Sequence, residues 1–417
     1  MNLVSMHPDL NADTPEGAAA ALRTTTVVRA HARQLLHRAR DGASRWFSVH
    51  DDALQAAAVE VADMTRVRYP DLNIPYHSRW RHFDAGGVNR TAVLDERLAE
   101  LELPARARTM IDLAAVSVLL DAGAGPDWHY LETDSGQRFS RSEGLAVASW
   151  HAFLGGLFSS DAAHPLRVDA AGLRAIDVGR LADAFQISPS NPLVGFEGRV
   201  ALLHRLAEAL AAQPELFGPH GRPGGLFDLL VERPGPVTAH DILSHLLASL
   251  SGIWLTHNTI GDHPLGDCWR HQAITGSGLT RGWMPFHKLS QWLTYSLLEP
   301  FEWAGVYVQG VDALTGLPEY RNGGLLLDTE VLRLRDPSWA ERTWAVGNEL
   351  VVEWRALTVA LLDELAPLVR TRLGVDAEQM PLACVLEGGT WAAGRAIALR
   401  LRDGRPPLTV VSDGTVF

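Results

Sequence analysis

From about residue 16 to residue 40, alanine, leucine and valine return every three or four positions with arginine between them, the spacing that puts apolar side chains on one face of a helix. The same period predicts helices over roughly 51–67, 105–122, 143–158, 169–185, 196–213, 238–250, 286–298 and 340–373, each closed by turns rich in Gly, Pro or Asn. Strand-like runs are few and short: 305–311 (GVYVQGV), 381–386 (PLACVL) and 408–411 (LTVV). The sequence contains no βαβ alternation, internal repeat or low-complexity tract. The pattern predicts a mainly α protein, a helical two-lobed unit with small β elements toward the C-terminus. Residues 1–15 read as a mobile N-terminal segment and 16–417 as one helical unit, with the Gly/Pro-rich loop at 214–225 as the boundary between lobes.

Charge narrows the partners. The 49 acidic residues outnumber the 37 basic ones for a net charge of −12, and no basic stripe interleaves with aromatics, which excludes nucleic acid. No apolar run approaches the roughly 20 residues of a membrane span, and the first residues lack a basic then apolar leader, so the reading is no membrane and a cytoplasmic location. The two cysteines, Cys268 and Cys384, form no CxxC and fit a reducing compartment. Among the 37 basic residues only Lys288 is a lysine. A GC-rich genome accounts for that bias, and the exception draws attention to its surroundings.

Several segments concentrate polar chemistry. Residues 75–83, PYHSRWRHF, set His77, Arg79 and Arg81 among aromatics, a wall suited to an anionic, partly planar ligand; a surface segment of snorkelling arginines is the competing account. Asp121 ends the apolar run before Gly123 and Gly125, where a negative helix end should push its carboxyl up, as a general acid requires. Trp128 follows, able to stack on a ligand or to fill the core. At 141–144 Ser142 reads as a helix cap and Glu143 as its dipole partner, while Arg141 and the free N–H groups could meet an anion. Asp267 and His271, four apart, would share a helical face for acid–base work, or with His263 hold a metal.

The densest segment is 284–296, MPFHKLSQWLTYS. With Pro285 opening a helix, His287, Ser290, Gln291 and Thr294 form a polar stripe, with Lys288 and Trp292 beside it. Unlike arginine, a lysine can act as an amine with a depressed pKa. In 314–328, LTGLPEYRNGGLLLD, a Pro/Gly turn presents Glu319, Tyr320 and Arg321, with Asp328 beyond; an internal Glu–Arg salt bridge is the alternative. LEGGTWAAGR at 386–395 repeats the theme.

Taken in order, HSRWRHF, SVLLDAGAG, RSEGLAVAS, NPLVGFEGR, LGDCWRH, PFHKLSQWLTYSL, LTGLPEYRNGGLLLD and LEGGTWAAGR resemble the uracil-catabolism (Urc/Urg-type) family of fungi and bacteria, long catalogued as a domain of unknown function. The resemblance runs from about residue 25 to the end. It implies a place in a degradation route in which uracil is ribosylated and its ring opened, with a ribosylurea-type intermediate and urea downstream. A shorter likeness, SVLLDAG followed by Trp128, and PEYR in a Gly/Pro turn, is to the queuosine-salvage nucleotide glycohydrolases, helical enzymes related in architecture to DNA glycosylases. Glu319 stands where that family has an aspartate.

The two resemblances imply a hydrolase cleaving the N-ribosyl bond of ribosylurea or its phosphate, with no metal or organic cofactor. Asp121 and Glu319 would serve as carboxylate and water-orienting group, and Asp267 or His287 as proton donor. His77, Arg79, Arg81, Trp128, Arg141, Glu143, Lys288, Gln291, Trp292, Tyr320, Arg321 and Asp328 would bind the substrate. The expected partners are a small ribosylated or nucleotide-derived molecule and other enzymes of the uracil pathway. Two alternatives stand beside this reading: a metal-dependent ureide C–N hydrolase using His263, Asp267 and His271, and a non-catalytic nucleotide-binding partner of the ring-opening enzyme.

Overall fold

A computed structural model describes residues 10–411, 414 and 416, and helices dominate them. The helices that build the core and the cleft are, in chain order, α1 (Pro15–Leu22), α2 (Thr25–Arg40), α3 (Asp51–Arg68), α4 (Arg79–Phe83), α5 (Leu103–Leu119), α6 (Arg141–Leu154), α7 (Phe196–Ala211), α8 (Ala239–Leu250), α9 (Lys288–Trp303), α10 (Tyr320–Asp328), α11 (Glu349–Leu373), α12 (Leu382–Val385) and α13 (Trp391–Arg402). Their ends follow local chemistry. Thr14 and Thr24 accept the Gly17 and Val27 N–H groups to open α1 and α2, Thr238 and Asp241 form a reciprocal capping box on α8, and Gly374 closes α11 in the left-handed conformation. Of the N-terminal segment, residues 1–9 lie outside the described residues; from residue 10 the chain runs against a turn at 278–280, where the Ala12 carbonyl accepts the Leu279 N–H at 2.7 Å.

At 25 residues α11 is about 37 Å long. It packs against α2 and α3, α5 packs against α9, and α10 against α13. One buried apolar cluster extends from Val28 to Val416 and takes in Leu210 and Leu226 on either side of the 214–225 loop and Phe217 within it. That loop is tied to α5: Arg222 and the Gly224 N–H reach the buried Asp112 carboxylate at 2.6 and 2.7 Å. No helix among the described residues is long and apolar enough to cross a membrane.

The β structure consists of two-stranded ribbons spread along the chain, beginning with Phe47–Val49 against Leu332–Leu334, rather than gathered at the C-terminus. Of the expected strands, 408–411 pairs as Thr409–Val411, in parallel with Thr343–Ala345, and 305–311 keeps only Val308–Gln309. The 381–386 run is helical. It forms α12 and passes through a π-helical turn, Leu386–Thr390, into α13. Its short apolar run misled because a segment buried on every side reads alike as strand or helix. Gly389 lets it approach α3: a Cβ there would stand 2.3 Å from the Val61 carbonyl oxygen. Two helix starts also move. Pro285 lies in a strand, Trp283–Pro285, paired with Cys268–Arg270, so α9 begins at Lys288 after His287 at φ 50°, and α11 begins at Glu349.

Candidate active site

A cleft of about 600 Å³ opens between α4, α6, the π turn and α13. Its wall carries five guanidinium groups, Arg68, Arg81, Arg138, Arg141 and Arg395, against two carboxylates, Glu143 and Glu387. In a chain of net charge −12 this is a local cationic basin, the electrostatics that concentrates a small anion. Arg141 opens α6 with φ 56°, a left-handed conformation that costs an L-residue about 1–2 kcal/mol, and it sits on the cleft wall. Glu143 pairs with Arg395 at 2.5 Å, and Arg395 lies over the Trp391 ring.

The π turn brings Glu387 into this wall. Arg68 Nη2 and the Tyr69 hydroxyl donate to Oε1 at 2.6 and 3.0 Å, while Oε2 lies 2.8 Å from His77 Nδ1. Burial alone would raise this carboxyl, but His77 and Arg68 outweigh it and hold it down at about 2. The His77 ring leans on Trp292 at 4.7 Å between centroids, and His82 lies 5.6 Å from the same indole and 6.0 Å from Trp391.

Behind the histidines lies a second charged layer. Arg79, fully buried, reaches Asp121 Oδ2 at 2.8 Å, Ser117 Oγ at 2.7 Å and the Ser142 carbonyl at 3.1 Å. Burial would push the Asp121 carboxyl up, but Arg79, His82, the Ser142 side chain and Lys288 together draw it below the ordinary aspartate range. This reverses the sequence expectation, which counted the helix end and could not see the guanidinium arriving from α4. Glu319 moves the other way. Burial raises it, against the Arg321 and Asn322 N–H groups it caps at 2.6 Å each and against Lys288 and Arg321. Lys288 is electrostatically coupled to both carboxylates, and burial lowers its ammonium. Six buried polar atoms in these layers have no hydrogen-bond partner among the described residues: Asp121 Oδ1, Arg79 Nη2, Arg81 Nε, Trp292 Nε1, Arg321 Nε and Asn322 Oδ1. Such atoms are costly unless something satisfies them.

The candidates from the sequence therefore divide. His77, Arg81, Arg141 and Glu143 line the cleft; Asp121, Arg79, Lys288, Glu319 and Trp292 belong to the layer behind, with half-buried Tyr320 and with Arg321, whose Nη1 shares the Gly404 carbonyl with that of Arg141. Others are taken up by structure. Trp128 is fully buried, bonds the Phe185 carbonyl at 3.0 Å and stacks on Phe185. Gln291 bridges the Phe286 carbonyl and Thr315, because the expected polar stripe of α9 faces a packed loop. Asp328 pairs with Arg402 at the far end of α10. His287 Nε2 meets the Leu22 carbonyl at 2.9 Å. Asp267 precedes a strand rather than sitting on a helix; it is held by both Arg355 Nη atoms at 2.8 and 2.7 Å, Trp269 Nε1 and the Lys288 N–H, which leaves no oxygen for proton donation. His271 pairs instead with Glu353 at 3.0 Å, and among the described residues no three His, Cys, Asp or Glu side chains gather as a metal would need. Ser142 does not cap: it lies inside α6, which starts two residues before the expected helix, and the N-cap Ser140 makes no capping bond.

Sequence reasoning passed over Glu387, His82, Arg68, Arg138, Trp391 and Arg355 as site residues. Trp391 and Arg395, four apart on α13, and the Glu-Gly-Gly before them were the legible signal; the partners of Glu387 come from 310 or more residues away and have none.

Two comparisons extend beyond the geometry. "Uracil catabolism protein 4" of Lachancea kluyveri is 39% identical over 382 residues, covering 83% of this chain and 85% of that protein. "Protein urg3" of Schizosaccharomyces pombe is 38% identical over 410 residues, covering 95% and 98%. The family described as "Protein of unknown function (DUF1688)" matches residues 21–417, nearly the whole chain, and the protein therefore belongs to it.

Proposed function

We propose that this protein acts in uracil catabolism as a hydrolase of the N-ribosyl bond of a ribosylurea-type intermediate, in free or 5′-phosphorylated form. The names of the two relatives support the pathway. The observation that supports the chemistry is Asp121: a carboxylate kept ionised by Arg79 on one oxygen, with the other buried and without a hydrogen-bond partner among the described residues. Heterolysis of a ribosyl C1–N bond develops positive charge at C1, and a preorganised carboxylate in a site of low dielectric stabilises it. Glu319, driven upward by burial, is the better proton acceptor of the two and is assigned to the attacking water. The five guanidinium groups of the cleft suit a phosphate on the ribose.

The test is incubation of purified protein with ribosylurea and with its 5′-phosphate, following release of urea and the ribose moiety. Turnover of either supports the reading, and turnover of neither overturns it. Asp121→Asn and Glu319→Gln separate catalysis from binding alone: both should keep ligand affinity within about tenfold and lose product formation by 10²-fold or more. Unchanged turnover in both would overturn the assignment of these two carboxylates.

A further inference from the structure

We propose that His77 is a catalytic residue that protonates the leaving nitrogen through Nε2, with Glu387 as its positioning residue. This rests on the glycosidic reading, which lacks a proton donor once Asp267 and His287 are committed to Arg355 and to the Leu22 carbonyl. Every hydrogen-bonding atom around His77 points to one orientation. Its backbone N–H donates to the Ala383 carbonyl at 3.0 Å, and its Nδ1 lies 2.8 Å from Glu387 Oε2, so main chain and ring are both tied to the α12–π segment. Glu387 is ionised and can only accept, so Nδ1 carries a hydrogen. Nε2 makes no hydrogen bond within the described residues, and the ring lines the cleft.

His82, the other histidine on that wall, is set the opposite way. Its Nδ1 accepts from Arg79 Nη1 at 3.3 Å, and burial and Arg79 hold it at about 4, so it stays neutral and serves only as an Nε2–H hydrogen-bond donor. The nearby acids are already engaged: Glu143 with Arg395, and Glu299 with Ser78 and Arg81 at 2.5 and 2.7 Å. Trp292 backs the His77 ring at 4.7 Å between centroids, and its buried Nε1–H has no hydrogen-bond partner among the described residues. A ureido group offers the leaving nitrogen that His77 would protonate.

The step balances without another reactant. Doubly protonated His77 gives its Nε2 proton to the leaving nitrogen, the C1–N electron pair departs with that nitrogen, and water oxygen bonds to C1 while its proton passes to Glu319. One proton exchanged through solvent resets both groups. The charged and titratable groups around the ring are Glu387, Arg68 and Tyr69 behind it, Arg81 and His82 on α4, Arg141 and Glu143 on α6, and Arg395 on α13.

The experiment compares wild type, His77→Asn and His77→Gly on ribosylurea and its 5′-phosphate, with affinity for the phosphorylated substrate measured separately under single-turnover conditions. Asparagine keeps an N–H toward Glu387 but has nothing at Nε2. We expect kcat to fall 10²- to 10⁴-fold with affinity within tenfold of wild type, and added imidazole to restore part of the rate in His77→Gly. His77→Asn turning over within tenfold of wild type overturns the assignment, as does a loss confined to affinity or one that imidazole leaves untouched. Wild type inactive on both compounds removes the glycosidic reading itself.

Discussion

Replacing Glu387 with glutamine keeps the size of the side chain and removes its charge from a site where the structure gives that charge two partners. A carboxyl held at about 2 in the fold, against 4.5 unperturbed, stabilises the folded chain at neutral pH by about 3 kcal/mol, at about 1.36 kcal/mol per pH unit of displacement. Because the folded-state value is depressed, this contribution is complete above about pH 5 and is lost as pH falls toward 2; by pH 3 only about 1 kcal/mol remains. At about 2.1 cal/mol/K per residue, a chain of 417 residues loses roughly 1 °C of Tm per kcal/mol. Glu387→Gln should therefore melt about 3–4 °C below wild type at pH 7, and the gap should shrink to about 1 °C by pH 3. Parallel thermal melts of the two proteins from pH 7 to pH 3 read this directly, since the other acid-sensitive groups cancel in the difference. A deficit independent of pH would mean that the carboxylate matters only as packing, and no deficit at all would refute the pairing.

Three further tests probe the division between site and scaffold. Trp128→Ala should cost about 3–5 kcal/mol as a core truncation while folded protein keeps its ligand affinity; lost affinity without lost stability would return the ring to the site. Arg355→Met strands the buried Asp267 carboxylate and should also cost about 3–5 kcal/mol in denaturant unfolding, with Asp267→Asn in the same background costing much less than it does alone; simple additivity would refute the coupling. Lys288→Arg places a wider, fork-shaped cation in the field of Asp121 and Glu319 and should lower turnover at least tenfold, whereas unchanged kinetics would make the lone lysine a compositional accident.

The helices were legible along the chain, because a 3.6-residue apolar period depends only on near neighbours: α3, α5, α7 and α8 begin and end within a few residues of where their side-chain pattern puts them. The sequence also marked the segments that carry polar chemistry, since Arg79, Asp121, Glu143, Lys288 and Glu319 all lie in stretches whose composition is unusual for a helix face. Tertiary structure decided which of those groups meet, and so what each one is. Asp121 lies 42 residues after Arg79, and whether its carboxyl is pushed up by a helix end or drawn down by a guanidinium depends on that encounter. Asp267 and His287 look as reactive in the sequence as His77 does; Arg355 and the Leu22 carbonyl occupy the first two, while Glu387, 310 residues away, engages one nitrogen of the third, which lines the cleft. The 381–386 run shows the same limit at the level of backbone: fully buried helix and fully buried strand are both simply apolar, and only packing against α3 selected the helix and the π turn that delivers Glu387. Local periodicity reaches a few residues along the chain, whereas charge, protonation and access are set by groups the fold brings together from hundreds of residues apart.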